Sequence, residues 1–257
     1  MCEKKEEYLN RINRESIIAL IPARGGSKGV HKKNIQMIKG YPLIAYSIAA
    51  GLLSKKIDRV IVSTDSEEIA EIAKHYGAEV PFLRPAEYAS DRSGDIEFVE
   101  HAIGYMYTNE ECIPEYLVHL RPTTPLRDIA IMDEAIMQCM SNEECCSLRS
   151  AHKAPESPFK WFLKQENGYF RSIQEGVSND AINGARQSFA DVYIPDGYVD
   201  VIKSSYVIQQ GILHGEQMLA FESPFCMEVD TMDDLDYIQY QVQKEGSALF
   251  EYLKQRF

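Results

Sequence analysis

The sequence predicts an α/β fold, a mostly parallel sheet with helices on both faces. Three observations carry that prediction. Short continuous apolar runs at 17–21, 59–63 and 116–120 suit strands buried on both sides. Between them lie helical stretches of about ten residues or more, the spacing of βαβ units. The chain's 257 residues are enough for one domain over 1–257 carrying an inserted lobe, and no internal repeat is evident.

The elements follow in order. After a polar lead-in, residues 17–21 form the first strand. Pro42 suits the first turn of a helix whose apolar side carries Leu43, Ile44, Ile48, Leu52 and Leu53. Residues 59–63 are the second strand. In TDSEE, Thr64 or Asp65 followed by a glutamate three positions later gives a capping box, and Gly77 stops that helix. A strand is expected near 78–82, a helix over 95–107, a fourth strand over 116–120, a helix over 129–140 and a strand over 145–148. The alternation then breaks. Residues 150–197 read as an inserted lobe, and the sheet resumes near 198–202. An excursion of that length is usually functional or an oligomer contact. Helices at 235–242 and 248–253 close the chain. Ligands of such sheets bind at the carboxyl ends of the strands, which gathers the loops 22–34, 63–66 and 121–127 on one rim.

Bulk properties narrow the function. A net charge of −12 argues against a nucleic-acid scaffold, yet residues 24–33 concentrate four cations locally. The six cysteines show no C-x-x-C pair and no zinc spacing with the histidines, so free thiols in a reducing compartment are expected. The N-terminal stretch lacks the apolar core of a signal peptide, and no apolar run reaches about 18 residues. A cytoplasmic protein without a membrane partner is expected.

Residues 16–34, SIIALIPARGGSKGVHKKN, pose the main chemical question. Glycines beside Arg24, Lys28, Lys32 and Lys33 suit a phosphate cradle, although neither the Walker nor the dinucleotide spacing fits. GGSKG also matches the serine-nucleophile pattern, with Asp191 and His214 as possible followers. The cradle is preferred, because the basic loop runs on to Asn34 before any helical pattern begins, and acyl transfer has no use for four cations. RPTTPLRD (121–128) is either a turn with a cap at Asp128 or a substrate-contacting loop. Glu228 and Asp230, two apart, would share one face of a strand and suit Mg²⁺ beside bound phosphates. The acids after Thr231 read as helix capping, and the scattered histidines as structural.

IPARGGSKGVHKKN, VSTDSEEIAEIAKHYGAEV, RPAEYASD, LRPTTPLRD and VDTMDDLD occur in the order seen in acylneuraminate cytidylyltransferases, the CMP-sialic and CMP-nonulosonic acid synthetases. The sequence resembles that family strongly over 17–149 and 226–238, and thinly between. The resemblance implies a Rossmann-like sheet of the nucleotide-diphospho-sugar transferase type and a homodimer formed through the inserted lobe. It implies nucleotide contacts from Ala23, Arg24, Gly25, Ser27, Lys28, Lys33, Asn34 and Arg84, with Arg24, Lys28 and Lys33 serving catalysis. Arg121, Thr123, Lys160, Arg186 and Gln187 would bind the sugar acid, and Glu228 and Asp230 would hold Mg²⁺. The implied reaction transfers CMP from CTP to the anomeric hydroxyl of a nonulosonic acid and releases pyrophosphate.

Three positions depart from the family pattern. Glu228 stands where aspartate is common, Arg121 where many sialate members carry glutamine, and PDGYVDV (195–201) replaces a more usual Asn-Gly-x-x-Tyr run. They point toward a different nonulosonic acid, such as a legionaminic or pseudaminic acid. The alternatives are a KDO or other sugar nucleotidyltransferase, and a non-catalytic nucleotide-binding relative.

Overall fold

The computed structural model describes residues 2–26 and 29–257. Helix α1 (Cys2–Leu9) leads into strand β1 (Ile12–Pro22), which starts five residues before its apolar run. The early part is polar and largely exposed, and only the stretch from Ile17 to Ile21 is buried throughout. A small hairpin of β2 (Met37–Ile38) and β3 (Tyr41–Pro42) precedes α2 (Leu43–Leu53). Then come β4 (Arg59–Ser63), α3 (Glu67–His75), α4 (Asp95–Tyr105), β5 (Ile113–His119), α5 (Ile129–Met140) and β6 (Ser147–Lys153). The excursion carries the antiparallel pair β7 (Phe162–Lys164) and β8 (Phe170–Ser172). The chain closes with β9 (Tyr193–Lys203), α6 (Ser204–Gln210), β10 (Met218–Glu222), α7 (Met232–Glu245) and α8 (Ala248–Arg256).

The main sheet has the order β10-β6-β9-β5-β1-β4. β1 runs parallel to both β4 and β5, and β6 parallel to β10, while β9 is antiparallel to β5 and β6. The sheet is therefore mostly parallel, as predicted. One face is covered by α2, α3, α5, α7 and α8, the other by α4 and α6. Among the described residues no helix is long and apolar enough to cross a membrane.

Several boundaries differ from the sequence reading, each for a local reason. The strand expected at 78–82 is reduced to two isolated bridges, Ile61 to Glu79 and Thr64 to Leu83. Pro81 has no N–H to give and interrupts the ladder between them. The strand expected at 145–148 runs from Ser147 to Lys153 instead. Cys145 and Cys146 are buried in the turn before it, where Cys145 Sγ contacts the Cys139 carbonyl at 3.3 Å. Cys112, Cys139, Cys145, Cys146 and Cys226 are free. α4 ends at Tyr105 in a single wider turn, Met106–Glu110, rather than at 107. β9 begins at Tyr193 because it continues past a bulge along β6, so the excursion proper spans 154–192. Helix α3 is capped by Ser66, whose hydroxyl accepts from Ile69 N, and not by Thr64 or Asp65. Asp128 and Thr231 cap α5 and α7 as expected, the latter with a full capping box.

Candidate functional site

The carboxyl ends of β1, β4 and β5 meet on one rim, and a pocket of about 400 Å³ opens there. It unites Arg24, Lys33, Arg84, Arg121, Glu228 and Asp230 with several backbone and hydroxyl groups. A sequence separation of 206 residues, Arg24 to Asp230, is thereby collapsed into one chamber.

The loop after β1 is fastened from several sides. Ala23 is fully buried and spends its N–H on the Ser63 carbonyl at 2.9 Å. Gly25 N donates to Asp65 Oδ1 at 2.8 Å. These two amides are therefore committed within the protein and are not free for a ligand. Asp65, read as a cap candidate, anchors the loop instead. Ser27 and Lys28 lie outside the described residues. Asn34 is buried and donates to the Arg24 carbonyl at 3.0 Å, bracing the loop from within. Gly29 backs directly onto Asp230. A β-carbon there would fall 2.6 Å from the Asp230 carbonyl oxygen, so only glycine permits this approach.

The cations that reach the pocket each hold an acid or carbonyl. Arg24 Nη1 donates to Asp91 Oδ1 and to the Ser90 carbonyl, both at 2.9 Å, tying the basic loop to RPAEYASD. Lys33 Nζ donates to the Val229 carbonyl and to Asp230 Oδ1, again at 2.9 Å. Arg84 is buried, bonds the carbonyl and hydroxyl of Ser63, and lies 5.0 Å over the Phe98 ring. Burial lowers its guanidinium to about 10, with Asp65 and Asp95 opposing the shift.

At the other end, Arg121 Nη2 donates to Asp95 Oδ2 at 2.6 Å. Its carbonyl accepts from Ser47 and Arg127, which fixes the loop beneath it. Burial would lower the Arg121 guanidinium, but Asp95 and Asp200 outweigh it and hold it above its ordinary value. Asp95 responds in kind: burial raises its carboxyl, and His119 and Arg121 more than offset that. Thr123 Oγ1 donates to Glu228 Oε1 at 2.9 Å. Residues 223–230 form no strand, so the same-face argument for Glu228 and Asp230 fails locally, yet both line the pocket. Among the described residues no third acid, histidine or cysteine joins them as a ready-made metal cage.

Three predicted residues lie elsewhere. Lys160 and Arg186 line a separate cleft with Trp161, and Gln187 is exposed on a short turn beside them. Lys160 Nζ donates to the Gly184 carbonyl at 3.1 Å, and Arg186 Nη2 to the Ala154 carbonyl at 3.2 Å. The structure thus splits the expected sugar-binding set into a pocket half and an excursion half.

Sequence reasoning passed over Ser90, Ser93 and Asp95, which hold or line the pocket, and read Asp65 chiefly as a cap. RPAEYASD contained a signal, since a serine–aspartate pair after a proline-stiffened turn is poised for polar contact. Asp95 gave none, because an acid in the first turn of a helix is ordinary. Within PDGYVDV, Asp196 and Tyr198 are held by structural bonds. Asp196 accepts from Ser150, Ser223 and the Tyr198 amide, and Tyr198 Oη accepts from Asp128 N.

Comparison with known proteins follows this geometry. Residues 18–156 match the family described as Cytidylyltransferase. An N-acylneuraminate cytidylyltransferase of Escherichia coli O18:K1:H7 is 47% identical over 115 residues, 45% of this chain and 26% of that protein. A CMP-N,N'-diacetyllegionaminic acid synthase of Legionella pneumophila is 40% identical over 111 residues, 43% of this chain and 47% of that one. The match thus spans about a quarter and about half of those two relatives' lengths. A solved CMP:2-keto-3-deoxy-manno-octonic acid synthetase complexed with CTP superposes with a TM-score of 0.65 at 15% identity, covering 90% of this chain and 99% of that one. At that identity the likeness is one of fold.

Proposed function

The chain belongs to the cytidylyltransferase family, and from that premise we propose that it transfers CMP from CTP to the anomeric hydroxyl of a nonulosonic acid, releasing pyrophosphate. One observation carries this reading: a single pocket joins the basic loop after β1, Arg84, the Arg121–Thr123 loop and the Glu228/Asp230 pair. The named relatives act, by their names, on N-acylneuraminate and N,N'-diacetyllegionaminate.

In this reading the hydroxyl oxygen attacks the α-phosphorus as the bond to the bridging oxygen breaks, and pyrophosphate departs. The hydroxyl proton leaves to solvent or to a base. Lys33 sits where it offsets charge developing on the phosphates, and its bonds to Val229 and Asp230 keep it aimed without reorganisation. Arg24 gives up Asp91 to engage phosphate oxygens. Ser27 and Lys28 complete the basic loop. Arg84 and the Ser90–Ser93 turn border the nucleoside side, and Arg121 and Thr123 the sugar side.

Glu228 and Asp230 fit Mg²⁺. They open into the pocket, and Mg²⁺ is commonly held by one or two carboxylates plus substrate phosphates. When bound, Mg²⁺ supplies Lewis-acid compensation of phosphate charge. Thr123 orients Glu228 through its hydroxyl.

A homodimer completes the reading. Trp161, Phe162, Leu163, Tyr169 and Phe170 are exposed on the excursion, an apolar patch suited to a second copy. Pairing there would carry Lys160 and Arg186 toward a neighbouring pocket. The test is Mg²⁺-dependent pyrophosphate release with CTP and a panel of nine-carbon 2-keto-3-deoxy acids, repeated with UTP, GTP and ATP. No acid giving release above the CTP-only blank sinks the proposal.

A further inference from the structure

Behind the Arg121 end of the pocket a row of polar side chains crosses the sheet. Strand register places His119 of β5, Asp200 of β9 and Arg149 of β6 side by side. Asp200 and His119 are each 1% exposed, which puts an acid in the interior. Asp200 Oδ2 lies 3.7 Å from Arg121 Nη2 and 3.8 Å from His119 Nδ1, and Oδ1 lies 3.8 Å from Arg149 Nε. These are charge contacts at a remove from hydrogen bonding. Asp200 Oδ1, Arg149 Nε and His119 Nε2 have no hydrogen-bond partner. Burial accordingly pushes the Asp200 carboxyl up to about 6, with Arg149 and Arg121 opposing the shift.

A buried acid so poorly bonded does little for the fold, since desolvation outweighs loose ion pairing. Its geometry relative to Arg121 gives it another role. The same Nη2 that donates to Asp95 also faces Asp200. Gly197, three residues earlier on β9 with φ +63°, leaves room for the Arg121 stem. A β-carbon there would meet Arg121 Cδ at 2.6 Å. One strand therefore supplies the floor under the stem and an anion beside the head.

Asp95 is the more accessible partner, its side chain 37% exposed against 1% for Asp200. A substrate hydroxyl or acylamino group entering this end can bond Asp95 through its donor and Arg121 through its acceptor. That exchange removes Asp95 from Arg121, and the guanidinium then needs a second anion to remain in place. We propose that Asp200 is a positioning residue that holds Arg121 at the sugar-acid end of the pocket while Asp95 is redirected to the substrate. The proposal rests on the cytidylyltransferase reading above and deepens it: recognition of the acid's polar substituents is set partly from β9, behind the loop that makes the contact.

The test combines Asp200→Asn, Arg121→Gln and the double variant. Asp200→Asn, nearly isosteric, is expected to raise KM for the sugar acid about tenfold with kcat and KM for CTP little changed. In the Arg121→Gln background it is expected to add nothing, because its effect passes through Arg121. A separate readout needs no substrate. In ligand-free Asp95→Asn protein, where Asp95 no longer holds the guanidinium, the Arg121 Nε–H resonance should exchange faster with solvent once Asp200→Asn is added. Independent, multiplying effects of the two substitutions, or unchanged Arg121 exchange, overturn the proposal. A wild-type protein that turns over no sugar acid overturns the cytidylyltransferase reading instead, and the Arg121 exchange comparison then decides the Asp200 role by itself.

Discussion

The pocket and the excursion both hold residues expected to meet the sugar acid, and they are built in opposite ways. In the pocket, the cations of the basic loop are tied to residues far along the chain, as Lys33 to Asp230 and Arg24 to Asp91. Long-range ties of this kind exist only when the sheet is assembled, so the site is an outcome of the whole fold. In the excursion, Lys160 and Arg186 bond carbonyls within or at the edge of the same segment, Gly184 and Ala154. Its hairpin strand β7 is exposed along its whole length. Such a segment buries little apolar surface of its own, which is why the proposed homodimer contact is assigned to it. The lesson is that one half of the expected site is preformed in the main pocket, and the other half lies apart from it on the excursion.

The substitution that should break this contrast most sharply is Arg24→Ala. Losing a cation that offsets charge developing on the phosphates costs about a hundredfold to a thousandfold in rate, and a fall of that size in kcat/KM for pyrophosphate release is expected. Asp230→Asn should raise the Mg²⁺ concentration for half-maximal activity by about tenfold or more, measured by metal titration at saturating CTP. On the excursion side, Lys160→Ala should raise KM for the sugar acid by about tenfold and leave KM for CTP unchanged. Trp161→Ala with Phe170→Ala should lower the molecular mass in sedimentation velocity while the melting of the main domain is retained. Equal loss of CTP binding from both regions would erase the distinction.

A stability measurement sharpens the contrast from beneath the pocket. Burial pulls the His119 imidazole down to about 3 and His214 down to about 4. Between those values and about 6.5 the unfolded chain binds these protons and the native chain does not, so stability falls on acidification. Asp200, pushed up to about 6, works the other way, because the native state holds its proton first. Two imidazoles oppose one carboxyl, and a net loss on the order of a few kcal/mol is expected between pH 7 and pH 4.5. His119→Gln should reduce that loss in urea midpoints taken at the two pH values. The smallest effect is Asp128→Ala, which removes the α5 cap and should cost about 1 kcal/mol in the same denaturation at pH 7.

Much of the pocket was legible because its parts are local in sequence. The apolar run before Pro22, the cations of the loop, the proline-stiffened RPTTPLRD and the acid pair at 228 and 230 each announce themselves within a few residues. Edges were less legible. Pro81 interrupted a strand that periodicity favoured, and β9 ran five residues longer than its apolar stretch because a bulge let it stay paired with β6.

By itself, the sequence determined the alternation of buried strands and amphipathic helices, and hence the rim on which a ligand binds. It also determined the chemistry of the basic loop, because charge and glycine act through immediate neighbours. Only the tertiary structure decided how the amides and cations are shared. Ala23 and Gly25 are committed to Ser63 and Asp65, Lys33 reaches Asp230, and Arg121 stands between Asp95 and a buried Asp200. Those assignments depend on strand order and register, which bring together groups that share no local pattern. The physical reason is that hydrogen bonds and desolvation act over a few ångströms in space, whatever the separation along the chain.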